Sequence, residues 1–449
     1  MKLFGSTKSG ARLAKNRDTY AYGSADHYGQ ASTATKRKKK KRNPLKVWSI
    51  ILTVILILEG CYFFAMYTNN PFISKWRGIY IETAMNTLNH KWLATAFIPS
   101  DVIADVMDSQ RKALLKQENI ESTWQKPDDE TDPKDEKPTT NIETTVVQTR
   151  DPEEVAEEQF WEVFYEVDPA SLQAYLDTHP EALEDGWANL KINEAGLDDN
   201  GTDIQTIYGE QILAIDVPNK ILLIRVSGNN YMGVLAIAKD PAQLYVRPSS
   251  QLWTIGETVA QIASDNNGVL AMTGSAFIDP DGGGNGGELA GYAMYDGRGD
   301  GYGHMGRGYK RLEIHEDNLM YIKDAPSDVG KGTTDAVEFG PALVVDGEIV
   351  VDANCGYTGI HPRAAIGPSE KYEVMMIIIE GRLPGRSLGT NVLVVADILE
   401  LHGCMQAMNL DGGTSAIMWY DGETITQCSN KALPDGRPLP TAFVYERID

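Results

Sequence analysis

The sequence predicts an α+β fold: a mixed to antiparallel sheet of long strands packed with a few helices, preceded by one transmembrane helix and a helical, partly disordered stalk. Three observations lead there. From Gly209 onward, short apolar runs alternate with Gly, Pro, Asn and Asp turn signals, the pattern of strands rather than helices. Residues 374–379 form an unbroken apolar run, the mark of a strand buried on both faces. Residues 47–67 are apolar with a single charge, and at about 1.5 Å per residue they span roughly 30 Å, one bilayer core.

The N-terminal part is defined by charge. Residues 1–46 read as a basic, disordered cytoplasmic tail, with 13 Lys and Arg against Asp18 and Asp26, a net of +11. The remainder carries 28 basic and 61 acidic residues, a net of −33. Such a split suggests two compartments. The acidic bulk argues against nucleic acid as a partner, because phosphate backbones are neutralised by Lys and Arg. Lys36-Arg37-Lys38-Lys39-Lys40-Lys41-Arg42 stands directly before the span, which by the positive-inside rule keeps the N-terminus in the cytoplasm and the rest outside. A nuclear or nucleic-acid patch is the other reading of that run, and its abutment to the apolar span disfavours it. A cleaved signal peptide is the rival reading of the span. The long, late basic region and the lack of a small-x-small site favour an uncleaved signal-anchor at the cell membrane. Glu59 is costly inside lipid, so it either pairs with a membrane-protein partner or is tolerated near an interface. Of four cysteines Cys61 is in the span, leaving too few for a disulfide scaffold, and Cys404 reads as core.

Residues 68–120 have helical apolar spacing with Trp76, Trp92 and Phe97, as expected of juxtamembrane helices. Residues 121–151 are an acidic linker, in which Pro127, Pro133 and Pro138 block helix. A small helical segment, 152–208, contains an amphipathic helix over 153–167. Asp168-Pro169 then supplies the N-cap and first-turn proline of a second helix.

The last region, 209–449, opens with strands at 211–217, 220–226 and 231–238, then a short helix over 253–264 and a strand at 269–272. Strands 342–345 and 348–351 pair across Asp346-Gly347. Thr390 caps a helix that runs to His402 and stops at Gly403. A hairpin with Asp411 at its tip, a turn at Asp421-Gly422 and a strand at 441–445 close the chain.

Four places could carry chemistry beside the Asn409-Leu410-Asp411-Gly412-Gly413-Thr414-Ser415 tip, where glycines let a ligand approach the backbone. Thr273-Gly274-Ser275-Ala276-Phe277 ends a buried strand and leads into the glycine-rich loop Asp279 to Glu288. That loop offers backbone N–H groups to an anion. It lacks the P-loop ending, and calcium at Asp281, Asn285 and Glu288 is admissible by ligand type but not by EF-hand spacing. Gly340-Pro341, with the basic segment Lys331-Gly332-Thr333-Thr334, is the second place. The third is His361-Pro362-Arg363, where an Arg entering a buried strand calls for an anion. Glu380-Gly381-Arg382, at the carboxyl end of the most buried strand, is the fourth. No His/Asp cluster suggests a two-metal centre, and no Gly-x-Ser-x-Gly elbow occurs.

These pieces, in this order, resemble the phosphodiester glycosidase domain over about residues 269–444. Phe339-Gly340-Pro341-Ala342-Leu343, His361-Pro362-Arg363-Ala364-Ala365-Ile366-Gly367, Asn409-Leu410-Asp411-Gly412-Gly413 and Arg437-Pro438-Leu439-Pro440-Thr441 carry the likeness. The layout also resembles membrane-anchored versions from Gram-positive bacteria. The chain departs from the family pattern at Thr273, in place of Asn, at Thr414, in place of a third Gly, and at Ala416, in place of Ser or Thr.

The resemblance implies hydrolysis of a sugar-1-phosphodiester on a cell-envelope glycopolymer such as an exopolysaccharide, without a cofactor. It implies Arg363 and Arg382 as phosphate ligands, bidentate geometry suiting Arg. Asp411 would serve as base, nucleophile or stabiliser of sugar-ring charge, with Glu380 as second carboxylate and His361 as proton carrier. Thr273, Ser275, Asn409, Gly412, Gly413, Thr414 and Ser415 would complete the substrate contacts. The alternatives from other classes are a non-catalytic module that binds glycopolymer or sugar phosphate, and an envelope-assembly scaffold.

Overall fold

The computed structural model describes residues 43–87, 90–123, 150–197, 201–352 and 357–448, with only the backbone of Asp281. Residues 1–42 of the expected tail and most of the expected acidic linker fall outside the described residues, and the helix starts at Pro44, within the range expected for the tail. The chain divides into two units, Met1–Gly60 and Cys61–Asp449. Helix α1 (Pro44–Tyr67) is apolar and long enough to cross a membrane, and none of its side chains is buried. It meets the criteria of an anchor and of a signal sequence alike.

Residues 68–120 form α2 (Pro71–Met85), α3 (Trp92–Thr95) and α4 (Ser100–Leu115), the helices that their apolar spacing predicts. They share a small core of Ile81, Ala84, Ala94, Ile98 and Val102. The segment after α4 is bonded into the sheets rather than hanging free. The Gln117 side chain donates to Val350 O (3.2 Å) and accepts from Ala342 N (2.9 Å). The buried Lys310 ammonium donates to the carbonyls of Gln117 (2.5 Å) and Ile120 (2.6 Å).

Helices α5 (Pro152–Val163) and α6 (Pro169–Thr178) follow, and the Asp168 carboxylate caps α6 by accepting from Ser171 N at 2.8 Å. The Lys239 ammonium fastens this helical segment to the sheet, lying between Glu166 (2.5 Å) and Glu373 (2.8 Å) with all three side chains buried.

Among the described residues, strand pairing is antiparallel throughout. A nine-stranded sheet has Val374–Ile379 near its middle, between Tyr231–Ala238 and Arg363–Pro368. Two five-stranded sheets face it, one centred on Thr333–Phe339 and one on Gly268–Thr273. Val374, Met376 and Ile378 point into the core shared by the three sheets. Met375, Ile377 and Ile379 point the other way, under α5, α6 and α8 (Val392–Leu401). The unbroken apolar run is thus a strand buried on both faces. Helix α7 (Val259–Asp265) covers the outer face of the third sheet through Val259, Ile262 and Ala263.

Three local expectations change. The helix expected over 253–264 starts only at the Thr258 capping box, because Trp253 sits in the left-handed region (φ 72°). Asn391, not Thr390, caps α8, since Thr390 pairs its backbone with His361. The Asp411 segment is not a hairpin. Gln406–Asn409 pairs on both sides within the nine-stranded sheet, so Met418–Tyr420 finds its partner in the third sheet, at Gly268–Thr273. Asp411 therefore lies where the chain passes from one sheet to another.

A Cβ on Gly367 would fall 1.6 Å from Gln406 O in the neighbouring strand, while one on Gly78 of α2 meets nothing within 4 Å. Gly367→Ala should cost about 3 kcal/mol and lower the thermal unfolding midpoint by several degrees. Gly78→Ala, in open space on a helix, should leave the midpoint unchanged or raise it.

Candidate active site

The sheet-to-sheet passage opens a cleft of about 1320 Å³. Its floor comes from His361, Pro362 and Arg363 at the start of one strand, Arg382 after the end of the next, and residues 409–415. Asp279 and Arg437 form one side, and residues of α2 to α4, including Asn86, His90 and Arg111, form another. Among the described residues the lining holds six Arg and Lys against Asp279 and Asp411. In a chain of net charge −22, this concentration of cations gives the cleft a positive local field.

Glycine is required at both positions after Asp411. A Cβ on Gly412 would lie 2.4 Å from Pro362 O, and Gly413 takes φ 63°, where a Cβ would lie 3.3 Å from Arg382 Nη1. The Gly-Gly pair thus brings Asp411 against both the His361 and Arg382 segments. Burial raises the pKa of Asp411, opposed by the hydrogen bond from the Ser415 hydroxyl and by the Arg437 charge. A carboxyl so placed is a stronger base than an ordinary aspartate.

Arg382 is a non-glycine residue in the left-handed region (φ 59°), held there by backbone bonding to Leu388 O. Its Nη2 donates to His361 Nδ1 at 3.2 Å. Because a guanidinium only donates, the ring proton of His361 sits on Nε2. Burial first, then the charges of Arg363 and Arg382, push the His361 pKa down to about 2. The imidazole is therefore neutral and does not carry the titrating proton expected of a proton carrier; its Nε2 is buried on the side of Gly359 and Glu82. Burial also lowers the pKa of Arg382, opposed by the negative charge of Asp411.

Four polar atoms on lining residues are buried without a partner among the described residues: His361 Nε2, Arg382 Nε, Asn409 Oδ1 and Ser429 Oγ. Asn409 uses its amide nitrogen on Gly340 O (2.9 Å), which fixes the orientation of that oxygen. Arg363 donates from Nε to Thr390 O (3.1 Å) and from Nη2 to Gly359 O (2.7 Å). Its contribution to the cleft is charge more than a forked contact.

Several expected contributors lie elsewhere. Glu380 is buried and taken up by Arg386, whose Nε donates to Oε2 and whose Nη2 donates to Oε1 at 2.9 Å; Gln427 N adds a third bond. It does not line the cleft, so it is not the second carboxylate. Thr273 and Ser275 are fully buried behind the wall, and the Ser275 hydroxyl meets Thr441 Oγ1 at 2.6 Å. In the Lys331 segment, Thr333 Oγ1 donates to Glu313 (3.1 Å), away from the cleft. Asn285 donates its amide nitrogen to Thr254 O and accepts from Gly287 N with its oxygen, and Glu288 is exposed.

The residue that sequence reasoning passed over is Asp279, clamped by Arg437 through two bonds of 2.5 and 3.0 Å. Arg437 lies over the Phe277 ring at 4.5 Å, and its bonds hold the Asp279 pKa below the usual range. Asp279 and Arg437 both stood in the motif pieces, but 158 residues separate them and nothing local announces the pair.

Residues 266–446 match the family model described as phosphodiester glycosidase, the stretch in which the motif pieces lie. No curated protein matches the chain. Among solved structures, one similar to it is the catalytic domain of zebrafish N-acetylglucosamine-1-phosphodiester alpha-N-acetylglucosaminidase, auto-inhibited by its pro-peptide. That match has 18% identity and a TM-score of 0.42, covering 50% of this chain and 82% of that one. An exported protein of Burkholderia pseudomallei has 14% identity and a TM-score of 0.36, over 48% and 74% of the two chains. A hypothetical protein from Synechocystis has 14% identity and a TM-score of 0.35, over 52% and 64%.

The raised pKa of Asp411 has a stability consequence. Its ionisation opposes folding, a penalty absent below the ordinary value of 3.8 and complete once the pH exceeds the raised folded-state value. Asp411→Asn should therefore unfold at a higher temperature than the parent at pH 7, with the gap closing toward pH 3. A lower midpoint at pH 7 would count against a desolvated carboxyl.

Proposed function

We propose that the chain is a membrane-anchored hydrolase that cleaves sugar-1-phosphodiesters, of the N-acetylglucosamine-1-phosphodiester kind, on cell-envelope glycopolymers. The observation that carries this reading is the placement of the Asp411 carboxyl beside the Arg382 guanidinium in a cleft rich in cations. The phosphodiesterified sugar would lie with its phosphate against Arg382 and its anomeric carbon toward Asp411. Asp411 takes a proton from water as the water oxygen bonds to that carbon. The bond from carbon to the bridging oxygen breaks, and the phosphomonoester leaves with the electron pair, already an adequate leaving group in its anionic form. Arg382 and the Arg363 charge stabilise it. Asn409, Thr414 and Ser415 would meet the sugar hydroxyls. The basic run before α1 supports a cytoplasmic N-terminus and an extracellular cleft.

A second reading is a sugar-phosphate-binding module without turnover. The departures at Thr273, Thr414 and Ala416 favour it, as does the Thr273 hydroxyl, buried without a partner where the family pattern has an amide.

The full chain in detergent, given a panel of sugar-1-phosphodiesters, should release free sugar and phosphomonoester. Asp411→Asn should lower kcat by about 10³-fold, and Arg382→Lys should lower kcat/KM by about 10²-fold through loss of the planar fork. Sugar-phosphate binding without turnover would favour the binding module, and neither would favour a scaffold.

A further inference from the structure

Helix α2 lies far ahead of the matched stretch 266–446, yet it carries a buried carboxylate aimed at the cleft floor. Glu82 is 4% exposed. Its Oε2 accepts from Thr358 N (2.8 Å), Thr358 Oγ1 (2.9 Å) and Gly359 N (2.9 Å). The next residue, Thr83, accepts from Ile360 N at 3.0 Å. Two adjacent side chains of one helix thus hold every backbone N–H from 358 to 360. That turn leads directly into His361, and its Gly359 carbonyl receives Arg363 Nη2 at 2.7 Å.

The turn has little freedom to settle otherwise. A Cβ on Gly359 would lie 2.7 Å from His361 Nε2 and 3.2 Å from Glu82 Cβ, so helix, turn and imidazole are in close contact. Burial raises the Glu82 pKa, opposed by the hydrogen bonds from Thr358 and Gly359 and by the Arg363 charge. A packing role alone would be served by an apolar side chain; a carboxylate gathering three donors orders the turn.

We propose that Glu82 is a positioning residue of the active site, fixing His361 and Arg363 through the 358–360 turn, so that juxtamembrane helix α2 completes the cleft. The activity arm of its test rests on the hydrolase reading above; the spectroscopic arm does not.

The test uses the full chain in detergent with ¹⁵N-labelled histidine, comparing the parent with Glu82→Ala, Glu82→Asp and Glu82→Gln, and His361→Gln to identify the resonance. The parent should show His361 as a neutral ring protonated on Nε2 that does not titrate between pH 5 and 8. Glu82→Ala should mix the tautomers and lower kcat/KM on a sugar-1-phosphodiester by about 100-fold, after correction for the folded fraction. Glu82→Asp keeps the charge but withdraws the carboxylate by one methylene, so it should move both readouts the same way and covers a Glu82→Ala that fails to fold. Glu82→Gln retains an oxygen acceptor and should restore most of both. An unchanged His361 resonance and kcat in folded Glu82→Ala or Glu82→Asp would overturn the proposal and leave Glu82 a packing residue. If the parent shows no turnover while the His361 signals shift as described, the hydrolase reading falls and the positioning role stands.

Discussion

The site depends on one constraint, the close passage of Gly412 and Gly413 beneath Pro362 and Arg382. The Gly413 N–H donates to Pro362 O at 3.3 Å, and Leu410 N donates to Ala364 O at 2.8 Å. Any side chain at 412 would push the two segments apart, since its Cβ would lie 2.4 Å from a carbonyl oxygen. Because the chain leaves one sheet at Asn409 and enters another only at Met418, Asp411 is held between the end of a strand and the 3₁₀ turn Gly413–Ser415. Desolvation of the carboxyl at this position raises its pKa.

The charges around it divide into those that are engaged and those that face the cleft. Asp279 is neutralised by Arg437, while Arg363 keeps its charge but has two of its donors taken by backbone carbonyls. Arg382 is different: among the described residues its side chain bonds to a neutral imidazole, and the Asp411 charge is its main electrostatic support. Withdrawing these groups from water would strengthen their interaction with any anion entering the cleft. Strain in the Arg382 backbone and the left-handed turn at Gly413 both sit at this point, as expected where a fold has been bent to hold a ligand.

Much of this was legible in the chain. The run 374–379 announced a strand buried on both faces, Asp168-Pro169 a helix start, and Asp346-Gly347 a hairpin, because each rests on local chemistry. Asp411, Arg382, Arg363 and His361 were identified as site residues from turn glycines and misplaced charges, and the fold brings all four to one cleft. What failed was tertiary. The Asp-Gly pair read as a hairpin because nothing local says that its two strands pair in different sheets. Glu380 read as catalytic because its direction is set by Arg386, six residues on across a tight turn. Glu82 was invisible, since its partners lie 276 and 277 residues away.

The most direct measurement of the central claim, that Asp411 drives water onto the anomeric carbon while Arg382 holds the phosphate, is hydrolysis of a sugar-1-phosphodiester in ¹⁸O-labelled water. Mass analysis of the products within a single turnover locates the label. The geometry described here predicts label in the released sugar and none in the phosphomonoester. Label in the phosphomonoester would show attack at phosphorus and contradict the role given to Asp411.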